Sequence, residues 1–484
     1  MRTALMMRMT SVLMCVAFLV GCGVAMERVP DCKELKYPKL RDIQVPEVER
    51  VTLANGMQLL VLEDHELPLI HVSAMVRTGS IYEPADKVGL ASLTGTVLRM
   101  GGTTTRTGDE IDEQLEQIAA SVETGIGRSS GSAYMSVLKE DIDTGLAILA
   151  DVLMNPAFRQ DKIDLAKVAA RTSIARRNDN PNAIASREYA KLIYGAGSVY
   201  ARHTEYATLD NITRDDLVAF HRRFYHPNNV MLAVWGDFET KKMVARIEDA
   251  FKSWPKAQVD APPVPEVKYE FRSTVNVVVK EDMSQSCIRL GHLGGMMNDP
   301  DYFGLMVMNE ILGGSFTSRL FKNVRSRQGL AYSVSGVYGA DFDHPGVFYA
   351  SCQTKSQSTV HATEAIIEEI RRMTQEPVTD EELALAKDGF LNSFVFNFES
   401  RGEIVTRLMT YAYYGYPADF LQKTKENVEK VTKADVLRVA KAHLRPDTVQ
   451  VLVVGNPEGF DKPLSTFGDV KTIDVTIPQP AQGQ

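Results

Sequence analysis

The chain has 484 residues, 44% of them hydrophobic, which is enough to bury more than one core and makes about two to four domains the ordinary expectation. Its formal net charge is −8 with no long basic run, which argues against a nucleic-acid partner. Five cysteines in so long a chain exclude a scaffold built mainly on disulfides.

At the N-terminus, Arg2 and Arg8 precede an apolar stretch from Leu13 to Val20 that is too short to cross a bilayer as a stable helix. It ends in Leu19-Val20-Gly21-Cys22. That string resembles the lipobox of bacterial lipoproteins. The resemblance implies that residues 1–22 form a signal peptide with lipobox, that Cys22 is lipidated as the first mature residue, and that residues 23–46 are a tether. An ordinary secretory signal cut nearby is the competing reading. Gly23 follows, not an aspartate, which by the same resemblance favours a periplasmic protein anchored to the outer membrane. Cys22, Cys32, Cys287 and Cys352 would remain after cleavage. Cys287 and Cys352 both lie in strand-like text, so one bridge or two separate buried thiols are both open. No metal-ligand spacing joins any of the four.

Further along, Val51 to Glu63 alternates around Asn55-Gly56, a hairpin signal. Thr107 and Glu110 form a capping box, and Ile111, Leu115, Ile118, Ala119 and Val122 then share one helical face. The strongest signal is internal duplication. Thr213, Pro227 and Gly236 recur as Thr432, Pro446 and Gly455 at one constant offset, and Leu165-Ala166-Lys167 returns as Leu385-Ala386-Lys387. Two copies of one domain are therefore expected, at residues 47–254 and 269–460. The Pro-rich stretch 255–268 is the linker between them, and 461–484 is a tail. Runs of strands and runs of helices predict an α+β fold, with helices on one face of each sheet.

Gly79-Ser80-Ile81-Tyr82-Glu83-Pro84, followed by Gly89-Leu90-Ala91, resembles the insulinase/pitrilysin family of zinc peptidases, and the likeness extends over about residues 47 to 460, including Phe220 to Tyr225 and Gly236-Asp237-Phe238. It implies two α/β-roll domains per chain. In that family the next five residues are H-x-x-E-H, in which two imidazoles bind zinc and the glutamate activates water. Here those positions hold Ser92, Gly95 and Thr96. Counting back eight from Pro181 places Ser173 where the family has its third ligand. A neutral hydroxyl is a poor zinc ligand, and Gly95 has no side chain to take a proton. None of the nine histidines makes an i, i+4 pair. No zinc is expected in this chain.

In the second copy, Ser318-Arg319-Leu320-Phe321 and Gly329-Leu330-Ala331-Tyr332 flank Arg325. This string resembles the family's second signature and implies that Arg325 and Tyr332 reach across a chamber toward a zinc site. Arg325 would hold a substrate carbonyl, and the Tyr332 hydroxyl would donate to the oxyanion. On periodicity alone, Arg325 reads as a solvated arginine and Tyr332 as a half-buried strand aromatic. The Gly313-Gly314 pair permits a close backbone approach. Family members also bind peptide along an edge strand. The corresponding text here, Ser121 to Ser136, carries Gly125, Gly127 and Gly131, which argues against a regular edge. Together these features predict a non-catalytic subunit with no independent activity, whose zinc-bearing partner of similar size would share an unfolded-peptide substrate. A catalytically dead scaffold or peptide-binding envelope protein is the alternative, and an independently active peptidase would need ligands that are missing here.

Overall fold

The computed structural model describes residues 46–259 and 263–479. The expected signal peptide, Cys22, Cys32 and the expected tether as far as residue 45 lie outside the described residues. Asn55-Gly56 turns the chain between β1 (Glu49–Thr52) and β2 (Gln58–Glu63), with Gly56 at a φ of 86° that favours glycine. With β3 (Leu69–Val76), β4 (Ser121–Ile126), β5 (Gly131–Leu138) and β6 (Val230–Gly236), these strands form a six-stranded sheet in the order β1-β2-β6-β3-β5-β4. The second half repeats the plan with β7 (Thr274–Val279), β8 (Gln285–Leu293), the short β9 (Gly295–Met296), β10 (Ala331–Tyr338), the short β11 (Ala340–Asp341), β12 (Val347–Lys355), β13 (Gln450–Gly455) and β14 (Val470–Thr472). Its sheet order is β14-β7-β13-β8-β12-β10, so β7, β13, β8, β12 and β10 match β2, β6, β3, β5 and β4 in turn. The α+β duplication is therefore real.

The duplication is legible down to individual hydrogen bonds. Thr213 caps the helix Arg214–Phe224 by accepting from Asp216 N at 3.4 Å, and Thr432 caps Lys433–His443 by accepting from Asp435 N at 3.2 Å. Thr107 and Glu110 make the expected capping box, but that helix stops at Gln117. Ala119 turns left-handed at φ 49°, Ala120 N bonds back to Leu115 O, and Val122 belongs to β4. The apolar stripe thus spans two elements, because a buried strand residue falls in phase with the helix before it.

Within each half, the half's own helices pack on one sheet face, as expected. The opposite face is covered by a helix from the other half. Pro181–Tyr194 starts at an Asn180 cap and buries Ile184, Ala185, Tyr189 and Ile193 against Val278, Cys287, Leu452 and Val454 of the second sheet. Reciprocally, Arg401–Tyr414 starts at a Ser400 cap, ends at the left-handed Gly415, and buries Val405, Met409 and Tyr413 against Leu60, Leu62, Met231 and Ala233 of the first. Gly402 makes this second contact possible, since a Cβ there would lie 2.8 Å from the Trp235 ring. Tyr413 Oη also donates to Ser129 O at 2.6 Å, and Gln450 Nε2 donates to Leu192 O at 2.9 Å.

Two further features depend on which face a residue occupies. Cys352 on β12 stands opposite Ile288, one position past Cys287 on β8, so the two thiols point to opposite sides of the sheet and are free. Burial pushes the Cys352 thiol up to about 12. Beyond Phe460 the chain adds β14 in parallel to β7, the place that antiparallel β1 holds in the first sheet. Val475 O then accepts from Asn178 Nδ2 in the first half at 2.6 Å. Among the described residues no helix is long and apolar enough to cross a membrane.

Two buried histidines make the fold acid-sensitive. His221 donates through Nε2 to Leu153 O at 2.9 Å, and His292 donates through Nδ1 to Leu293 O while Nε2 accepts from Arg445 N at 3.1 Å. Burial pushes each down to about 4 from an ordinary 6.5, so both rings are neutral in the fold. Between those values the unfolded chain binds more protons than the folded one, and stability falls as pH falls. Denaturant melts from about pH 7.5 to about 4.5 are expected to lose up to about 1.4 kcal/mol per pH unit for each ring. The slope should be shallower in His221→Gln and His292→Gln; an unchanged slope in both would refute this account.

Candidate functional site

The first half's site is organised by the helix Leu90–Met100. Gly89, left-handed at φ 110°, precedes it, and the buried Glu83 carboxylate accepts from Gly89 N at 3.2 Å and from Ala91 N at 2.9 Å. Burial raises the Glu83 pKa, against the lowering effect of those two amides. Ser92 and Thr96, one turn apart, emerge on the exposed side of this helix. Ser173 is exposed on the neighbouring helix Gln160–Ala175, which packs against the first, and its Oγ donates back to Ala169 O at 3.1 Å.

Gly95 faces the opposite way, into β4. A Cβ there would lie 2.3 Å from Ile126 N and 2.7 Å from the Gly125 carbonyl carbon. Thr124 Oγ1 donates to Gly95 O at 2.7 Å, and Arg99 Nε donates to Val122 O at 3.0 Å. The helix is therefore seated on the outer edge of β4, where no glutamate side chain fits without moving the strand. That edge is nonetheless regular, despite its glycines: every residue from Ser121 to Ile126 pairs with β5 in one register.

This constellation does not fit a zinc ion: three hydroxyl positions offer no imidazole, thiolate or carboxylate, and the base position is closed by backbone. Among the described residues, the one group of three His, Asp or Glu donors close enough to share a cation is Asp299, Asp301 and His443, in the second half. There Asp301 already pairs with Arg438 and His443, each at 2.8 Å.

The second half brings Arg325 and Tyr332 together. Arg325 sits in the helical turn Phe321–Arg327, its guanidinium 4.6 Å over the Phe321 ring, and its Nε donates to Tyr332 O at 2.9 Å. The β10–β12 register shifts between Ala331 and Ser333, which throws Tyr332 outward to 75% exposure. Phe316 is 81% exposed and meets Phe321 edge-on at 5.0 Å. Phe321 closes the Ser318-Arg319-Leu320-Phe321 string and Phe316 lies just before it, but no periodicity or motif marks either as exposed. An exposed aromatic cluster beside an arginine is the usual composition of an interaction surface. By contrast, Arg327 is tied back to Asn323 Oδ1 at 2.9 Å. Gly313 repeats the Gly95 device, since a Cβ there would lie 2.2 Å from Gly336 N on β10.

The chain is of the two-domain α+β class in which each half seats one helix on an edge strand of its own sheet. A family model described as "Insulinase (Peptidase family M16)" matches residues 60–199, and one described as "Peptidase M16 inactive domain" matches residues 211–390. An "Uncharacterized zinc protease" of Rickettsia felis is 27% identical over 345 residues, covering 69% of this chain and 80% of its own. The "Uncharacterized zinc protease YmxG" of Bacillus subtilis is 26% identical over 361 residues, covering 74% and 87%. A solved peptidase M16 inactive domain from Pseudomonas fluorescens superposes with a TM-score of 0.77 at 24% identity, covering 86% of this chain and 100% of that one. A protease from Helicobacter pylori gives 0.74 at 18% identity, covering 84% and 99%. The chain belongs to the insulinase family, and it does so without the H-x-x-E-H motif.

Replacing Gly95 is expected to force helix and strand apart. Gly95→Ala should lower stability by about 1–3 kcal/mol, the ordinary range for overpacking, whereas Thr96→Ala on the open face should stay within about 0.5 kcal/mol. Thermal and urea melts of the two variants check this, and equal stabilities would overturn it.

Proposed function

We propose that this protein is the non-catalytic subunit of a two-chain zinc peptidase, anchored through lipid at Cys22 to the periplasmic face of the outer membrane. A zinc-bearing insulinase-family subunit of similar size would supply the metal, its ligands and the water-activating glutamate. This chain would close the chamber around an unfolded peptide and lend Arg325 and Tyr332 to the shared site.

One observation carries this reading: Arg325 bonds to the Tyr332 carbonyl and both residues are presented outward near exposed Phe316, although Ser92, Gly95, Thr96 and Ser173 offer no good zinc ligand in the first half. Only Nε of Arg325 is bonded within the described residues, so both Nη groups are available to a substrate carbonyl. The exposed Tyr332 phenol would donate to the oxyanion of the bound substrate. Preorganised donors of this kind are worth about 10²–10³ in rate. The closed seat of Gly95 on β4 favours a second reading, in which the fold survives as a scaffold or peptide-binding envelope protein.

Native mass spectrometry of the complex purified through a tag on this chain separates the two. A one-to-one assembly with a similar-sized chain carrying one zinc supports the subunit reading, and a zinc-free monomer or homodimer supports the scaffold. In the assembly, Arg325→Ala and Tyr332→Phe are each expected to lower kcat for peptide hydrolysis about 10²-fold or more, with the chain alone inactive. Full activity with both substitutions would sink the proposal.

A further inference from the structure

Gly95 and Gly313 play the same part in the two halves, and they lie 218 positions apart. At that spacing the counterpart of Ser92 is Glu310. Ser393, 220 positions after Ser173, is the counterpart of the third ligand position. In the second half these two positions line one cavity of about 480 Å³, together with Tyr302, Tyr338, Phe390 and Val428. Its size lies within the range of small-molecule sites, and its walls are chiefly apolar and aromatic, as such sites usually are.

Glu310 is the one charged side chain among the lining residues, and it has no hydrogen bond or ion pair among the described residues. It opens the π-helical turn Glu310–Gly314 that ends the helix Tyr302–Asn309, and such turns recur at functional sites. Two glycines leave its carboxylate uncovered. A Cβ at Gly314 would lie 2.4 Å from Oε2, and one at Gly389 would lie 3.9 Å from Oε1. Gly389 sits inside the helix Asp380–Ser393, where glycine costs roughly 1 kcal/mol relative to alanine. Neither its φ nor a backbone contact calls for glycine there, and its effect is to keep space open in front of Glu310.

We propose that this cavity binds a small amine with an aromatic body, its ammonium on Glu310 and its ring among Tyr302, Tyr338 and Phe390. An uncompensated carboxylate flanked by aromatic rings is complementary to an organic cation. A metal ion is not served, because one carboxylate falls short of the ligand set any such ion requires. An extended peptide is not served either. Asn309 Oδ1 accepts from Tyr338 N at 2.7 Å and Gly313 covers Gly336 N, so the β10 edge is closed at this end by the chain's own helix. The proposal stands whether or not a catalytic partner exists.

Calorimetric titration of the whole, unpartnered protein with phenethylamine tests it, with phenethyl alcohol as the neutral counterpart. Phenethylamine should bind at millimolar concentration or below, at least about tenfold tighter than the alcohol. Glu310→Gln should abolish that difference. Gly389→Leu should abolish binding while leaving the thermal midpoint equal or higher, which separates a filled cavity from a damaged fold. Equal binding of amine and alcohol, no binding at millimolar amine, or binding unchanged in either variant would overturn the proposal. Tighter binding of a hexapeptide beginning with phenylalanine would replace the small amine with a peptide and overturn it equally.

Discussion

The structure rests on the exchange of one helix between its halves. Each sheet has two apolar faces, and each half supplies helices for only one of them. The remaining face of the second sheet is covered by Pro181–Tyr194, and that of the first by Arg401–Tyr414. Met409 and Ile184 are fully buried in these contacts, at positions where truncation to alanine ordinarily costs about 2–5 kcal/mol. Separating the halves would expose both faces at once. The surfaces carrying Ser92, Thr96, Arg325 and Tyr332 are therefore parts of one body whose relation is set by buried contacts rather than by the linker.

Within that body the duplicated helix-on-strand contact has been put to two uses. In the first half the helix lies hard on β4 at Gly95, with hydroxyl side chains on the open face where ligands would be needed. Zinc chemistry asks for imidazole or carboxylate donors in a fixed shell, and serine and threonine cannot supply it. In the second half the same contact at Gly313 supports β10, whose register shift turns Tyr332 outward and places its carbonyl under Arg325. The first half is closed at Gly95, while the second leaves Tyr332 exposed beside Arg325.

The exposed aromatics give this asymmetry its meaning. Phe316 is 81% exposed and Tyr332 75%, and contiguous exposed apolar surface of this kind usually marks an interaction site. Phe321 supports Arg325 from below, and Phe316 abuts Phe321. These contacts hold the Arg325 guanidinium in place, while the Tyr332 side chain stands out into solvent.

The sequence by itself determined the duplication, the α+β class and the absence of imidazole, thiolate and carboxylate side chains at Ser92, Gly95, Thr96 and Ser173, because these depend on residue identity and on spacing along the chain. The hairpin at Asn55-Gly56 and the caps at Thr107, Thr213 and Thr432 were equally legible, since turns and caps are local hydrogen-bond patterns. Tertiary structure alone decided the rest. Periodicity marks the apolar face of Arg401–Tyr414 but not which sheet that face will meet. The spacing of Cys287 and Cys352 could not reveal that pairing Cys352 with Ile288 sends the thiols to opposite faces. Val470–Thr472 read as a tail because three residues carry little pattern of their own, and only the open edge of β7 makes them a strand. Gly95 read as a lost base, yet its proximity to Ile126 N, across thirty-one positions of chain, is what closes the site. Sequence specifies chemistry and local geometry. Which surfaces meet is decided by burial, and burial exists only once the chain has folded.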